Sequence, residues 1–486
     1  MHRTLPRITD IPAGRPAPTS VRNGYGRPMR ARLGGRVVGL SAAALLAATA
    51  LVSAAGATSG GVDRNAIELY SDGLVVTPEG VATVAPGTTQ QYLPGTRVPD
   101  EPDATPERRA ALAALAAEQR AWLDAGTVPG AGTRFEEMSR GALADLHALV
   151  ADDGAVPAAL HERWGYAWPR DNAFVAAALA RTGHVDDAVR VLGFLARVQA
   201  DDGSFEARYT LDGEGPPDGR APQTDGTGWV LWSLGQVLAA TPEGPATSPT
   251  DVSPSTSPSR TDVALGLRGL LERATDRALE LTDSGRRLPP ASPDYWEVRE
   301  KVTTLGTAAP LLAGLEAAAE AWAVLEEPDR AHEAAEAAAA LRALIEDEFG
   351  ARGYPRRVTG GPRDAATAFV LPPFVASPLA GAEAAWRGSV DPMRRPAGGL
   401  APGGSWRPDG ISWTPQTTLY ALTAAAVGDR GTAEQWLGWI DAHRTSSGAI
   451  PEKVLADGSP SAVAPLAWSS ANVVLALDRL DALPAG

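Results

Sequence analysis

Residues 180–208, ARTGHVDDAVRVLGFLARVQADDGSFEAR, and residues 423–453, TAAAVGDRGTAEQWLGWIDAHRTSSGAIPEK, are two versions of one pattern. Gly183 and Gly428, Leu192 and Leu437, Gly193 and Gly438, and Gly203 and Gly448 share a single offset of 245 residues (428 − 183). Apolar residues spaced by three and four between two glycines read as a helix–turn–helix unit, and a fixed offset reads as a repeat of that unit.

Working outward from these two units, helical periodicity predicts helices over 105–125, 135–151, 170–183, 185–200, 225–240, 262–283, 302–325, 328–348, 364–380, 413–427, 430–444 and 466–483. Twelve helices in six hairpins can close into an all-α (α/α)6 toroid, whose inner helices deliver their loops to one end, where a pocket forms. An open superhelix of helical hairpins is the alternative, and it calls for more uniform repeat lengths. Upstream, IELYSDGLVVTPEGVATVAPG (67–87) has short β-prone runs broken at Asp72-Gly73 and Pro78-Glu79-Gly80, which predicts a small hairpin. TPEGPATSPTDVSPSTSPS (241–259) is too polar and proline-rich to order itself and reads as a surface loop.

The chain has 486 residues, 44% hydrophobic and 21% charged. That composition supports a buried core and excludes a disordered chain, a collagen or a multi-span membrane protein. The absence of cysteine removes disulfides, thiol catalysis and cysteine-ligated metals. Net charge is −14, yet residues 1–36 hold eight arginines and one acid, Asp10. The acidic body argues against a DNA or RNA partner and disfavours anionic substrates. An apolar run, VVGLSAAALLAATALVSAAGA (37–57), follows the basic segment. It reads as a cleaved secretory signal ending at Ala55-Gly56-Ala57, or as a signal anchor that spans the membrane once, and either reading exports the body. The expected organisation is a basic segment at 1–36, the signal or anchor at 37–57, a β-prone extension at 58–104, and the helical domain at 105–486.

Thirteen tryptophans exceed the eight tyrosines and seven phenylalanines. Trp322 and Trp436 suit gaps between helices, whereas Trp164, Trp168, Trp296 and Trp406 fall in loops beside charged residues. Indole faces pack against the apolar face of a sugar while its hydroxyls need acids and amides, so this placement points to carbohydrate. Four segments stand out. RWGYAWPRDNAF (163–174) brings Arg170 and Asp171 to a loop–helix junction, where they would grip hydroxyls or Asp171 would cap the helix. APQTDGTGWVLWSL (221–234) does the same with Gln223 and Asp225. SPDYWEVREKV (292–302) sets Glu297 beside Trp296, where a partly dry carboxyl would serve as a general acid; an exposed loop glutamate is the plainer reading. GAIPEKVLADGSPSAVAPLAWSSANVVL (448–475) holds Glu452, a base or a surface acid. Glycoside hydrolysis needs two such carboxyl groups. The chain's two lysines, Lys301 and Lys453, each fall near one of them, as if a compact point charge were required there. Six scattered histidines lack metal-ligand spacing, and no P-loop, dinucleotide fingerprint or nucleophile elbow occurs.

Together these segments resemble glycoside hydrolase family 15, the glucoamylase-type six-hairpin glycosidases, over about residues 105–484. WPRD (168–171) resembles that family's W-x-R-D segment and PQTDG (222–226) its Q-x-D segment. YWEVR (295–299) is similar to its W-E-x-R segment, and IPEKV with PLAWSSA (450–454, 465–471) to the segment of the general base. The resemblance implies an (α/α)6 barrel, no cofactor and no metal. It also implies an inverting exo-acting α-glycosidase, working on an oligosaccharide or polysaccharide from the non-reducing end. Glu297 would be its acid and Glu452 its base, with Trp168, Arg170, Asp171, Gln223, Asp225, Trp296, Arg299, Trp413 and Trp468 around the sugar. ISWTPQTTLYAL (411–422) matches the family's aromatic tenth-helix segment only at Trp413, and Lys453 stands where an uncharged or acidic residue is usual. These departures leave a non-catalytic glycan-binding envelope protein on the same scaffold as the other reading.

Overall fold

The computed structural model describes residues 67–244 and 258–484, so the apolar run 37–57 and most of the 241–259 segment lie outside the described residues. The hairpin forms: β1 (Gly73–Thr77) pairs antiparallel with β2 (Gly80–Val84), with Thr77 opposite Gly80. The helices follow in order: α1 (Pro106–Ala125), α2 (Glu136–Leu149), α3 (Pro169–Arg181), α4 (Val185–Val198), α5 (Asp225–Ala240), α6 (Arg260–Gly266) and α7 (Arg268–Thr282). After these come α8 (Leu305–Val324), α9 (Pro328–Glu348), a 3-10 turn at Ala365–Val370, α10 (Ala382–Arg387), α11 (Val390–Met393), α12 (Thr414–Ala426), α13 (Arg430–Ala442) and α14 (Ala467–Asp481).

Their packing closes a ring. α3 packs on α5, α5 on α8, α8 on the 3-10 segment, that segment on α12, α12 on α14, and α14 back on α3. The outer helices α2, α4, α7, α9, α10 and α13 each cover inner members, which makes an (α/α)6 toroid. Burial separates the two layers. α4 buries one stripe, Ala188, Val191, Leu192, Leu195 and Val198, at the three-and-four spacing of an amphipathic helix. α3 buries every residue from Pro169 to Ala180, as a helix enclosed on all sides must. Each leucine sealed in this core contributes about 1.5–3 kcal/mol. The ring closes tightly because small residues face one another. A Cβ on Gly314 of α8 would lie 2.8 Å from the Gly228 carbonyl oxygen of α5.

The repeat seen in sequence is the inner–outer pair. An offset of 245 carries α3 onto α12 and the start of α4 onto the start of α13. Gly183 and Gly428 adopt φ of +90° and +81°, the left-handed turn that lets the chain reverse at little steric cost.

Two predicted helices are corrected. The 262–283 helix is two, α6 and α7, which meet at Leu267. The 364–380 helix stops as a 3-10 turn at Val370, because Pro372 and Pro373 supply no N–H to continue it. Among the described residues, no helix is long and apolar enough to cross a membrane.

α1 and α2 meet through stacked rings. Trp122 lies 4.1 Å from His147 and 3.6 Å from His184, centroid to centroid. Burial pushes the His147 imidazole down to about 4, against the pull of Asp187 and with the repulsion of His184 and Arg190. The unfolded chain therefore binds a proton here before the folded one does, and stability falls as pH drops from about 6.5 toward 4. His147→Gln should flatten that part of the Tm-against-pH curve, measured by calorimetry; an unchanged slope would count against the assignment.

Candidate active site

The toroid's loops build the site at the N-terminal ends of the inner helices. Four short bridges set where those ends lie: Ala167 pairs with Tyr209, Thr304 with Arg357, Asp364 with Gly403, and Ser412 with Val454. Each joins the residue leading into an inner segment to a later loop. A cavity of about 310 Å³ opens there. Its lining includes Trp164, Trp168, Arg170, Asp171, Tyr295, Trp296, Glu297, Trp406, Trp413, Gln416, Glu452 and Trp468. Of the lining, Trp168, Arg170, Asp171, Tyr295, Gln416, Glu452 and Trp468 are buried, while Arg163, Arg220 and Glu297 are exposed.

Arg170 enters from the first turn of α3. Its guanidinium lies 3.2 Å from Asp171 Oδ2 and 3.6 Å from Asp225 Oδ2, and stacks 4.8 Å over the Trp468 ring. Arg170 Nη1 also donates to Gln223 Oε1 at 3.2 Å. Neither aspartate is an N-cap: Trp168 holds that position for α3 and Thr224 for α5. Gln223 and Asp225 do not line the cavity; they sit behind Arg170 and fix it. Burial pushes Asp171 up to about 6, opposed by Arg170 and reinforced by Glu297. Burial pushes Asp225 up to about 7, again opposed by Arg170 and reinforced by Asp294.

Glu297 sits on the loop before α8. Asp294 makes that loop turn: its Oδ1 accepts from Trp296 N at 3.0 Å and its carbonyl from Glu297 N at 2.7 Å. Glu297 consequently takes φ +55°, a conformation costing about 1–2 kcal/mol for a residue with a Cβ. The buried Arg356 holds the turn. It pairs with Asp294 at 2.8 Å, Glu300 at 3.1 Å and Asp364 at 2.6 Å, and lies 3.9 Å from the Trp296 ring centroid. The expected dry packing of Glu297 is only part of its surroundings. Its side chain is 31% exposed and its carboxylate forms an ion pair with Arg220, from the 211–224 loop. Arg299, expected beside the sugar, is exposed and outside the cavity lining, because the chain turns away after Glu297.

Glu452 is buried between short strands. β3 (Ser412–Trp413), β4 (Lys453–Val454) and β5 (Pro460–Ser461) pair antiparallel, with Trp413 opposite Lys453 and Lys453 opposite Ser461. Glu452 N donates to Val463 O at 2.8 Å, and Thr414 N donates to Glu452 O at 3.0 Å. Lys453 Nζ lies 3.1 Å from Glu452 Oε2 and 4.2 Å over the Trp413 ring. Lys301 is exposed and outside the lining, so of the two lysines only Lys453 accompanies a site carboxylate.

Sequence reasoning missed Arg356, Arg220 and Gln416. Gln416 had a signal: the 245-residue offset carries Asp171 onto Gln416 and Trp168 onto Trp413, so the repeat presents an indole and a polar side chain twice. Five buried indole N–H groups around the cavity, on Trp168, Trp296, Trp406, Trp413 and Trp468, find no protein acceptor. Trp386 and Trp436, away from the cavity, are likewise without an acceptor, so it is the gathering of five around one cavity that suits a ligand with hydroxyl groups.

Two carboxylates share one guanidinium in the Arg170 cluster, and that fixes a sign. Asp225 holds its proton to higher pH in the folded chain than in the unfolded one, where its pKa is about 3.9, so stability is lost as pH rises toward 7. The Tm difference between Asp225→Asn and the parent should therefore be more favourable to the variant at pH 8 than at pH 5. A difference independent of pH would rule this out.

The chain is similar to several known proteins. The Glycosyl hydrolases family 15 model matches residues 138–236. An isomaltose glucohydrolase from Kribbella flavida is 27% identical over 395 residues, covering 72% of this chain and 94% of that protein. An uncharacterized glycosyl hydrolase from Methanocaldococcus jannaschii is 32% identical over 103 residues, 21% of this chain; the match spans 16% of that relative's length. A solved glycosidase variant in complex with glucose superposes with a TM-score of 0.58 at 24% identity, over 72% of this chain and 97% of its own. The chain is thus similar to glycoside hydrolase family 15 over residues 138–236, and it shares the (α/α)6 fold of solved glycosidases.

Proposed function

We infer that this glycosidase removes a terminal α-linked glucose unit from the non-reducing end of an oligosaccharide, with inversion. The observation that carries the reading is that Glu297 and Glu452 line one cavity together with the buried Arg170, Asp171 and Trp468. The cavity of about 310 Å³ is small for a polysaccharide segment, and we assign it to a chain end. The glucose unit and the α-linkage rest on the isomaltose-cleaving relative.

In this reading Arg170 and Asp171 hold the hydroxyls of the terminal sugar while Trp168, Trp296 and Trp413 face its ring. The leaving group takes the place of the Arg220 guanidinium beside Glu297. Glu297 gives its proton to the glycosidic oxygen as the bond to the anomeric carbon breaks. Water attacks that carbon from the opposite face, forming the new C–O bond, and its proton passes to Glu452. Inversion requires roughly 6.5–9.5 Å between the two carboxyl groups. The full chain assayed on isomaltose, maltose and longer α-glucans should release the non-reducing-end glucose as its β-anomer, read by NMR. Glu297→Gln and Glu452→Gln should each lose about 10²- to 10⁴-fold in kcat. Release of the α-anomer, or activity surviving in either variant, would overturn the mechanism.

We also propose that the enzyme is exported. The support is the arginine-rich segment 1–36 followed by the apolar run 37–57. Protease added to intact cells, or recovered in medium fractions, gives the check: a body found wholly protected inside the cell would sink this part of the reading.

A further inference from the structure

We propose that the chain upstream of the barrel, residues 67–72 with the hairpin that follows, is a clamp that positions the general base. This rests on Glu452 being that base. The segment bearing Glu452 runs from Thr445 to Ala464, and the extension grips it on both sides.

On the far side of Glu452, residues 67–71 run beside the end of β5, with Leu69 joined to Ala462 by a single parallel bridge. Ala462 N donates to Glu68 O at 3.1 Å, and Tyr70 N donates to Ala462 O at 2.6 Å. Ser461 Oγ donates to Ile67 O. Ser71 Oγ accepts from Ala464 N at 3.1 Å and donates to Ala464 O at 2.8 Å. These bonds hold Ala462 at φ +66°, a conformation a residue with a Cβ does not keep unless its neighbours impose it. The next residue, Val463, supplies the carbonyl that receives the Glu452 amide at 2.8 Å. The path from the extension to the base is thus one residue long.

On the near side, Asp72 is buried and its Oδ1 accepts from Ser446 Oγ at 2.8 Å and Ser447 N at 3.2 Å. Gln90 N donates to Ser447 Oγ at 2.9 Å, and that hydroxyl donates to Thr88 O at 2.9 Å. The clamp also touches the cavity lining beside the Glu452 segment, where Lys453 Nζ lies 5.9 Å from the Trp164 ring centroid. The Tyr70 ring stacks on His161 at 4.6 Å and tilts against Trp164 at 5.9 Å, and Trp164 lines the cavity. The clamp therefore acts on where the base sits, through backbone bonds to its segment, and has no hydrogen bond to Arg170 or Asp171.

The test uses the full chain with isomaltose as substrate and glucose as the binding probe. Ser71→Ala removes both bonds to Ala464, Tyr70→Ala removes the stack, and Tyr70→Phe keeps the ring. Ser71→Ala and Tyr70→Ala should lower kcat about tenfold to 10²-fold, as a misplaced base does, with KM and the glucose Kd within about twofold of the parent. Tyr70→Phe should restore kcat. Unchanged kcat in Ser71→Ala and Tyr70→Ala, or a fall in kcat matched by an equal weakening of glucose binding, overturns the clamp. Glu452→Gln is run alongside: its inactivity keeps the assignment of the base standing whatever the clamp variants do, and its activity removes that assignment first.

Discussion

The inner ring of this toroid has to be dry, and the rest of the molecule follows from that. Six segments packed side by side leave no solvent face, so their middles are mostly alanine, glycine, valine, leucine and aromatic residues, with a few serines and threonines. Polar chemistry is pushed to the ends. At the end used here, α3, α5, α12 and α14 present their N-termini, where unpaired N–H groups and the helix dipoles favour negative charge. Asp171 and Glu452 are buried carboxylates at that end, and Glu297 is an exposed one. The ring thus supplies both the wall of the cavity and part of the field that tolerates its acids.

The internal repeat extends into the site. Ala167 pairs with Tyr209 in one unit and Ser412 with Val454 in the other, each position displaced by the same 245 residues. Arg208 lies 5.0 Å over Trp168, and Lys453 lies 4.2 Å over Trp413. A cation on the indole that precedes an inner helix is therefore a feature of the repeated unit, and Lys453 has that structural role whatever else it touches. The two units diverge where chemistry needs them to: Ala207 occupies in the first the place that Glu452 takes in the second.

Much of the fold could be read from the sequence because it rests on local periodicity. Most helices and the paired glycines were legible in one dimension, since a 3.6-residue period and a left-handed turn leave marks on neighbouring residues. The 364–380 segment misled because its apolar pattern outweighed the two prolines that end it. Glu297, Glu452, Arg170, Asp171 and the loop tryptophans were legible as short motifs.

Other features exist only in three dimensions. Arg356 gathers Asp294, Glu300 and Asp364 from three stretches of chain, and no spacing along the sequence marks it. Arg220 meets Glu297 across 77 residues. Ser71 meets Ala464 across 393. Arg299 follows Glu297 by two positions, yet a left-handed turn sends it away from the cavity. The sequence by itself determined which residue types were available, which helices form and in what order, because those depend on interactions within a few residues. The tertiary structure alone decided which charges face one another, and which upstream segment braces the base. Those contacts are fixed by ring closure, which joins residues that the chain keeps far apart.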